Sequence, residues 1–275
     1  MTYATLMVHL ELGRPNTGLL HIAGRLAEHF QSTVIGIAAC QPMQMVYGDG
    51  YVAGDLVEID REEVRDEIKV AEAEFRSALA AHAGPLQWRS TMIFAPLADY
   101  LAGEMRCADL LLTSVATGDL FNASRAVNAG DLVLQAGRPV LFVPAAAQTL
   151  MLHRIVVAWK DTREARRAVA DALPLLKKAR HVALVEIAEP GEHAASLERL
   201  HDVADWLRRN AVTAEVVAAL STGNDAEQLR TIAREQEADL IVAGAYGHTR
   251  LREWVLGGVT RDLLAQPDRC SLVSH

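Results

Sequence analysis

The most restrictive feature of this 275-residue sequence is that one pattern of strands and helices occurs twice. Each half starts with a short apolar segment, a polar turn and an amphipathic helix, and continues in the order β-α-β-α-β-α-β-α-β. Strands that alternate with helices form parallel sheets with right-handed crossovers and with helices on both faces. The sequence therefore predicts an α/β protein made of two tandem, doubly wound, five-stranded parallel-sheet domains of Rossmann-like type.

The two halves can be matched segment by segment. Strands are predicted at 5–10, 33–39, 88–94, within 107–114 and at 140–143 in the first half, and at 155–159, 182–188, 214–220, 239–243 and 271–274 in the second. Helices are predicted at 17–30, 97–107, 163–178, 226–236 and 259–265. Two longer amphipathic helices are also predicted, one in each half. The apolar face of the first is formed by Val64, Ile68, Ala71, Phe75 and Leu79, and that of the second by Leu197, Leu200, Val203 and Leu207. The clearest match joins the segments CADLLLTS and EADLIVAG, which begin at Cys107 and Glu237.

The stretch PAAAQ at 144–148 is the natural joint between the halves, and it predicts domains at 1–147 and 148–275. The last strand of each half is a candidate edge strand. We therefore expect the two halves to pack on each other through these strands, as two separate subunits would. The first half also carries an extra segment at 41–60, which is predicted to be a loop or lid. Its letters GDGYVA match a dinucleotide fingerprint only superficially, because they begin several residues beyond the strand and no helix is expected to open inside the segment.

Charge and composition exclude several classes of protein. The formal net charge is −8 and the pI is about 5.7, which argues against general nucleic-acid binding, because that function needs a basic face. Three scattered cysteines, Cys40, Cys107 and Cys270, lack metal-ligand spacing and are expected to be small core residues of a reduced protein. No basic-then-apolar leader is present, and no apolar run approaches the roughly 18 residues of a membrane span. We therefore expect a cytoplasmic protein.

The strongest functional signal is a glycine-rich segment near the C-terminus. Gly244 and Gly247 follow an apolar run that is predicted to be a buried parallel strand, so they lie just past its carboxyl end, where open α/β sheets bind their ligands. Glycines have no β-carbon, and the chain can therefore turn sharply and bring its N–H groups against a ligand.

Gly257 and Gly258 open the predicted helix at 259–265, where unpaired N–H groups and the helix dipole favour an anion. Thr260 can add a hydroxyl, and His248, Arg250 and Arg252 can neutralise phosphate charge. The pattern predicts a phosphate-binding loop. A glycine-rich surface loop is the alternative, because isolated glycine patterns are common.

The ending GAYGHTRLREWVLGGVTRDLL resembles the signature of the universal stress protein family, Gly-x-x-Gly, nine residues, Gly and a small or hydroxyl residue. The duplicated pattern of five strands is similar to tandem members of that family. The resemblance implies that the C-terminal domain binds ATP or another adenine nucleotide, with Mg²⁺ as its potential counterion, and reports stress or energy state to a protein partner of unknown identity. A homodimer is a second expected form of association. Residues carried over from the family are Ile187 against the base, Ala243 at the strand end, and Gly244, Gly247, Gly257, Gly258, Val259 and Thr260 around the phosphates and ribose. His248 joins the predicted site because it lies beside Gly247 in the sequence.

Two departures from the family affect the predicted site. Trp159 and Lys160 occupy the end of the first strand of this domain, where the family usually has an aspartate. Either Asp161 substitutes for that aspartate after a shift, or the contact is absent and base discrimination is weaker. Gly258 replaces a common serine or threonine, which removes one hydroxyl from the phosphate shell.

The first half departs further, since its loop after 110–114 has no Gly-x-x-Gly and places Asp119 and Asp131 where an anion would lie. Glu11, near the first-strand acidic position, is interpreted as a solvated turn residue. The first domain is therefore predicted to be an empty structural copy, and a site for some other small ligand is the alternative.

No nucleophile–base grouping and no Walker lysine can be identified, so slow ATP hydrolysis is the most that we expect. Two other functions stay open at this point. One is a nucleotide-free interaction scaffold that uses the two-domain surface and segment 41–60. The other is an ATP-dependent enzyme of related architecture, such as an adenylating enzyme or a pyrophosphatase.

Overall fold

The computed structural model describes residues 2–42, 54–81, 84–114, 125–245 and 268–275. Its strands are β1 (Thr5–His9), β2 (Thr33–Cys40), β3 (Leu86–Met92), β4 (Leu110–Ser114), β5 (Val140–Val143), β6 (Arg154–Ala158), β7 (His181–Ala188), β8 (Glu215–Leu220), β9 (Leu240–Gly244) and β10 (Cys270–Ser274). Its helices are α1 (Thr17–Phe30), α2 (Gly54–Leu79), α3 (Leu97–Glu104), α4 (Ala129–Ala136), α5 (Arg163–Leu176), α6 (His193–Arg209) and α7 (Asp225–Glu235). None of these helices is both long enough and apolar enough to span a membrane.

All ten strands form one sheet in the order β3-β2-β1-β4-β5-β10-β9-β6-β7-β8. Neighbouring strands within each half are parallel, and the two halves join through the antiparallel pair of β5 and β10, in which Phe142 lies opposite Ser271 and Val140 opposite Val273. The predicted α/β class with two five-stranded parallel sheets is confirmed. The prediction that the last strand of each half pairs with the other is confirmed as well.

Most predicted elements lie within two residues of their observed bounds, and α1 and β5 coincide with the prediction. The loop prediction for 41–60 is wrong over its last seven residues, because α2 already begins at Gly54. The acidic and aliphatic run that follows Gly54 has good helix formers, which outweigh the glycines before it. The end of the helix predicted at 97–107 is a 3₁₀ turn, Met105–Cys107. The helix predicted at 259–265 lies outside the described residues.

The core is arranged differently on the two faces of the sheet. On one face, a single cluster of buried side chains runs through both halves beneath α1, α2, α5 and α6. On the other face, the described residues form two separate clusters, one beneath α3 and α4 and one beneath α7. Cys40 and Cys270 are buried as expected, but Cys107 is exposed, because it ends the turn that follows α3.

The most similar segments of the two halves have the same structural role. Asp109 precedes β4, and its carboxylate accepts a hydrogen bond from the backbone N–H of Thr5 at 3.0 Å. Asp239 precedes β9, and one of its oxygens accepts from the N–H groups of His153 at 2.7 Å and Arg154 at 2.8 Å. The repeated Ala-Asp-Leu sequence thus ties the starts of two neighbouring strands together in each half, which fixes their register.

Candidate functional site

The predicted site lies where the winding of the C-terminal half-sheet changes direction. From β6 the chain crosses to β7 on one side, while β9 lies on the other side of β6 and leads to β10. In open α/β sheets such a switch point leaves a crevice at the carboxyl ends of the strands, where ligands bind. Here Ala158 of β6 is paired in register with Ala243 of β9, so these two alanines lie side by side at the position where such a crevice has its floor.

Small apolar side chains line this floor on one face of the sheet. Ala243 is only 4% exposed, and Ala158 and Ile187 are half-buried and pack against the same cluster beneath α7. Ile187 lies on β7, two residues beyond the residue that pairs with Ala158. The structure therefore brings two residues of the predicted site, Ile187 and Ala243, together with Ala158, a residue outside the predicted set.

Gly244 ends β9 and packs against the first turn of α5. A β-carbon built on Gly244 would lie 2.4 Å from the backbone nitrogen of Ala165 and 2.5 Å from the carbonyl carbon of Glu164. These separations are far shorter than van der Waals contact, so any other residue would displace the helix. The sequence predicts close approach of a ligand at this glycine; the structure supplies a packing reason for it.

The three residues at the end of β6 point in different directions. Trp159 is 8% exposed and packs into the core on the opposite face of the sheet from Ala158, and its backbone N–H donates to the carbonyl of Val185 at 2.7 Å. Its indole nitrogen has no hydrogen-bond partner in the part of the chain that the structure describes. Lys160 and Asp161 are exposed, and the Asp161 carboxylate accepts from the Arg166 guanidinium at 2.9 Å.

Six residues of the predicted site lie outside the described residues: Gly247, His248, Gly257, Gly258, Val259 and Thr260. Their contacts with a ligand stay predictions from the sequence.

The first half has the same crevice position, but larger side chains fill it. His9 of β1 is paired in register with Thr113 of β4, as Ala158 is with Ala243. The His9 Nδ1 and the Thr113 hydroxyl are 2.9 Å apart and hydrogen-bonded, and the two residues are 1% and 2% exposed. Burial lowers the pKa of His9 to about 4, so the imidazole is neutral at physiological pH.

Neither His9 nor Thr113 belongs to the predicted site. The signal that could have found the pair is the alignment of CADLLLTS with EADLIVAG, which sets Thr113 against Ala243 and Ser114 against Gly244. Applying the same alignment to the first strand of each half sets His9 against Ala158.

A buried carboxylate next to Ile187 has a structural role. Glu186 is 5% exposed. One of its oxygens accepts from the Ser196 hydroxyl at 2.9 Å, and the other accepts from the Arg199 guanidinium at 2.9 Å. These bonds hold α6 on β7 and satisfy both oxygens. No group of three or more His, Cys, Asp or Glu side chains suited to a metal ion is found within the described ranges.

The fold is that of a tandem α/β protein with a switch point in each half, and comparisons with known proteins agree with this fold. A family model described as the universal stress protein family matches residues 151–268. A universal stress protein from Archaeoglobus fulgidus DSM 4304 aligns with 98% of this chain and 95% of its own, at 12% identity and a TM-score of 0.75. A putative universal stress protein from Pseudomonas aeruginosa UCBPP-PA14 aligns with 99% of this chain and 93% of its own, at 15% identity and a TM-score of 0.61.

Residues 151–268 therefore match the universal stress protein family, and the full length of the chain has the fold of these solved structures. A further solved structure, of a universal stress protein in complex with cAMP, aligns with 52% of this chain and 98% of its own, at 20% identity and a TM-score of 0.36. No curated protein matches the sequence significantly.

Proposed function

We propose that the C-terminal half binds an adenine nucleotide, ATP or AMP, at the crevice between β6 and β9, and that occupancy reports stress or energy state to a protein partner. One observation carries the proposal: the crevice has an alanine floor, and the chain leaves it at Gly244 directly into the Gly-x-x-Gly sequence. Small apolar side chains next to a predicted phosphate-binding sequence suit a ligand with a flat ring and a phosphate chain.

The side chains at the crevice suit the ring. The two methyl groups of Ala158 and Ala243 occupy little space, and the half-buried Ile187 offers an apolar surface beside them. Burying such surface against an aromatic base contributes about 25 cal/mol per Å². This contribution does not distinguish one base from another, which agrees with the missing first-strand aspartate.

The charges at the same edge suit the phosphates. Lys160 is exposed at the end of β6, and the sequence that follows Gly244 adds His248, Arg250 and Arg252. Exposed charges are screened within about 10 Å at moderate salt. The glycine-rich backbone is therefore expected to contribute the larger share of phosphate binding, and the side chains a smaller one.

We expect one nucleotide per chain, because His9 and Thr113 fill the corresponding position in the first half. The test is mass spectrometry of the small molecules that leave the purified protein on denaturation. An adenine nucleotide at close to one equivalent per chain is the expected result. A protein that releases none, and that also binds none when ATP or AMP is added, would contradict the proposal and favour a nucleotide-free scaffold.

A further inference from the structure

The strand end that leads into the glycine-rich sequence lies where the two halves meet. The backbone N–H of Ala245 donates to the carbonyl of Ser274 at 2.8 Å. Ser274 ends β10, the strand that pairs with β5 of the first half. One strand therefore separates the end of β9 from the first half.

Ala245 also takes part in the core of the first half. Its side chain is fully buried in the cluster that contains Leu132, Val133 and Ala136 of α4 and Phe142 of β5. The first residue after Gly244 is thus packed with the N-terminal half. Close-packed side chains transmit displacement, because they leave little free volume.

A second support reaches the same strand end through α5. The first turn of α5 lies against Gly244. Further along the helix, the Arg167 guanidinium donates to the carbonyl of Gly137, the residue that caps α4. The carbonyl of Asp171 accepts from the buried hydroxyl of Tyr3 at 2.7 Å. The helix that touches Gly244 is therefore tied to the first half at two further points.

We propose that the N-terminal half is a positioning element for the nucleotide site: through α4 and α5 it holds the end of β9 from which the glycine-rich sequence departs. This inference rests on the proposed nucleotide binding. Its consequence is reciprocal, because a ligand that is bound more tightly when the strand end is held must also stabilise the contacts that hold it. Nucleotide binding should therefore stabilise the contacts of α4.

The test is hydrogen exchange of the full chain with and without ATP, combined with ATP affinity measured by calorimetry. In the double variant Tyr3→Phe with Arg167→Met, the two hydrogen bonds between α5 and the first half lose their donors. The matched control, Tyr100→Phe with Arg76→Met, also removes one tyrosine hydroxyl and one exposed guanidinium from the chain. Tyr100 lies on α3, and Arg76 pairs with Glu72 in its own helix at 2.7 Å.

In the wild type and the control, ATP should slow the exchange of amides at 129–136 at least threefold. In the Tyr3 and Arg167 variant this slowing should be lost, and ATP should bind at least threefold more weakly. If the Tyr3 and Arg167 substitutions only destabilise the fold, the melting temperature falls but the two double variants bind ATP with equal affinity.

Slowing confined to 151–268 in the wild type, or equal affinity in both double variants, would overturn the positioning role while leaving the nucleotide site intact. Absence of binding heat in the wild type is a separate outcome, and it would overturn the nucleotide site together with the positioning role.

Discussion

At the scale of single residues, the two halves differ at one pair of positions near the carboxyl ends of neighbouring strands. The first half has a hydrogen-bonded histidine and threonine where the second has two alanines. The register of the strands is the same in both halves, so the difference lies in side-chain volume and not in the backbone. We infer that this pair decides which half can accept a ring.

Transferring the pair should close the second crevice. Ala158→His with Ala243→Thr is expected to weaken ATP binding at least tenfold, which corresponds to about 1.4 kcal/mol, because the imidazole and hydroxyl would occupy the space proposed for the base. Calorimetry measures the change. The matched control is His9→Ala with Thr113→Ala, which should leave ATP affinity unchanged although it costs about 2–4 kcal/mol of stability through the cavity that it creates. Equal affinity in the wild type and the closed variant would place the base elsewhere.

The buried His9 should also make stability depend on pH. Its pKa is lowered from 6.5 to about 4 by burial, so between these values the unfolded chain binds a proton that the folded chain does not. Stability is therefore lost as the pH falls below 6.5, and the loss levels off near pH 4. Between pH 7 and pH 5 we expect about 2 kcal/mol from this group. Urea denaturation at the two pH values should show that His9→Gln loses this part of the dependence; an unchanged difference between pH 7 and pH 5 would show that His9 is not its source.

At the scale of elements, the contact of β9 with α5 gives Gly244 a structural role that differs from the role predicted for Gly247. The backbone of α5 lies where a β-carbon of Gly244 would be, whereas Gly247 belongs to the sequence that is predicted to wrap the phosphates. Experiments can therefore distinguish the structural role of Gly244 from the ligand-binding role predicted for Gly247.

Gly244→Ala should lower stability by about 1–3 kcal/mol, because the added methyl group forces α5 away from β9. Gly247→Val should leave the melting temperature of the unliganded protein nearly unchanged and weaken ATP binding at least tenfold, because the side chain would block the approach of backbone to phosphate. Thermal unfolding without ligand and calorimetry with ATP measure the two effects. The same loss of stability in both variants would mean that the motif is structural throughout.

The elements were largely predictable from the sequence because each carries a local signal. Buried parallel strands appear as continuous apolar runs, and the polar turn before Thr17 marks the start of α1. The contact of Gly244 with Ala165 and the pairing of His9 with Thr113 join residues about 80 and 104 positions apart along the chain, and no local pattern encodes them. The start of α2 was missed because glycine and tyrosine near it suggested a loop, although the residues after Gly54 favour a helix.

At the scale of the whole molecule, the antiparallel pair of β5 and β10 turns the carboxyl edges of the two half-sheets in opposite directions. The filled crevice of the first half and the alanine-floored crevice of the second therefore lie at opposite edges of one sheet. The core beneath α1, α2, α5 and α6 is continuous across the junction, so the halves share buried surface in addition to a strand pair.

A shared core should make the two halves unfold together. Differential scanning calorimetry of the chain without ligand is expected to give one transition whose calorimetric and van't Hoff enthalpies agree. Saturating ATP should raise the midpoint of that single transition, since a ligand bound in one half then stabilises both. Two resolved transitions, with only one shifted by ATP, would show that the halves unfold independently.

One crevice, in the C-terminal half, is proposed to bind an adenine nucleotide. Isothermal calorimetry with ATP on the full chain, freed of any nucleotide retained on purification, tests it most directly. We predict a single class of sites at one ATP per chain, and no measurable heat when the same titration is made with the variant that carries both Ala158→His and Gly247→Val. A stoichiometry near two ATP per chain, or heat that persists in that variant, would contradict the claim.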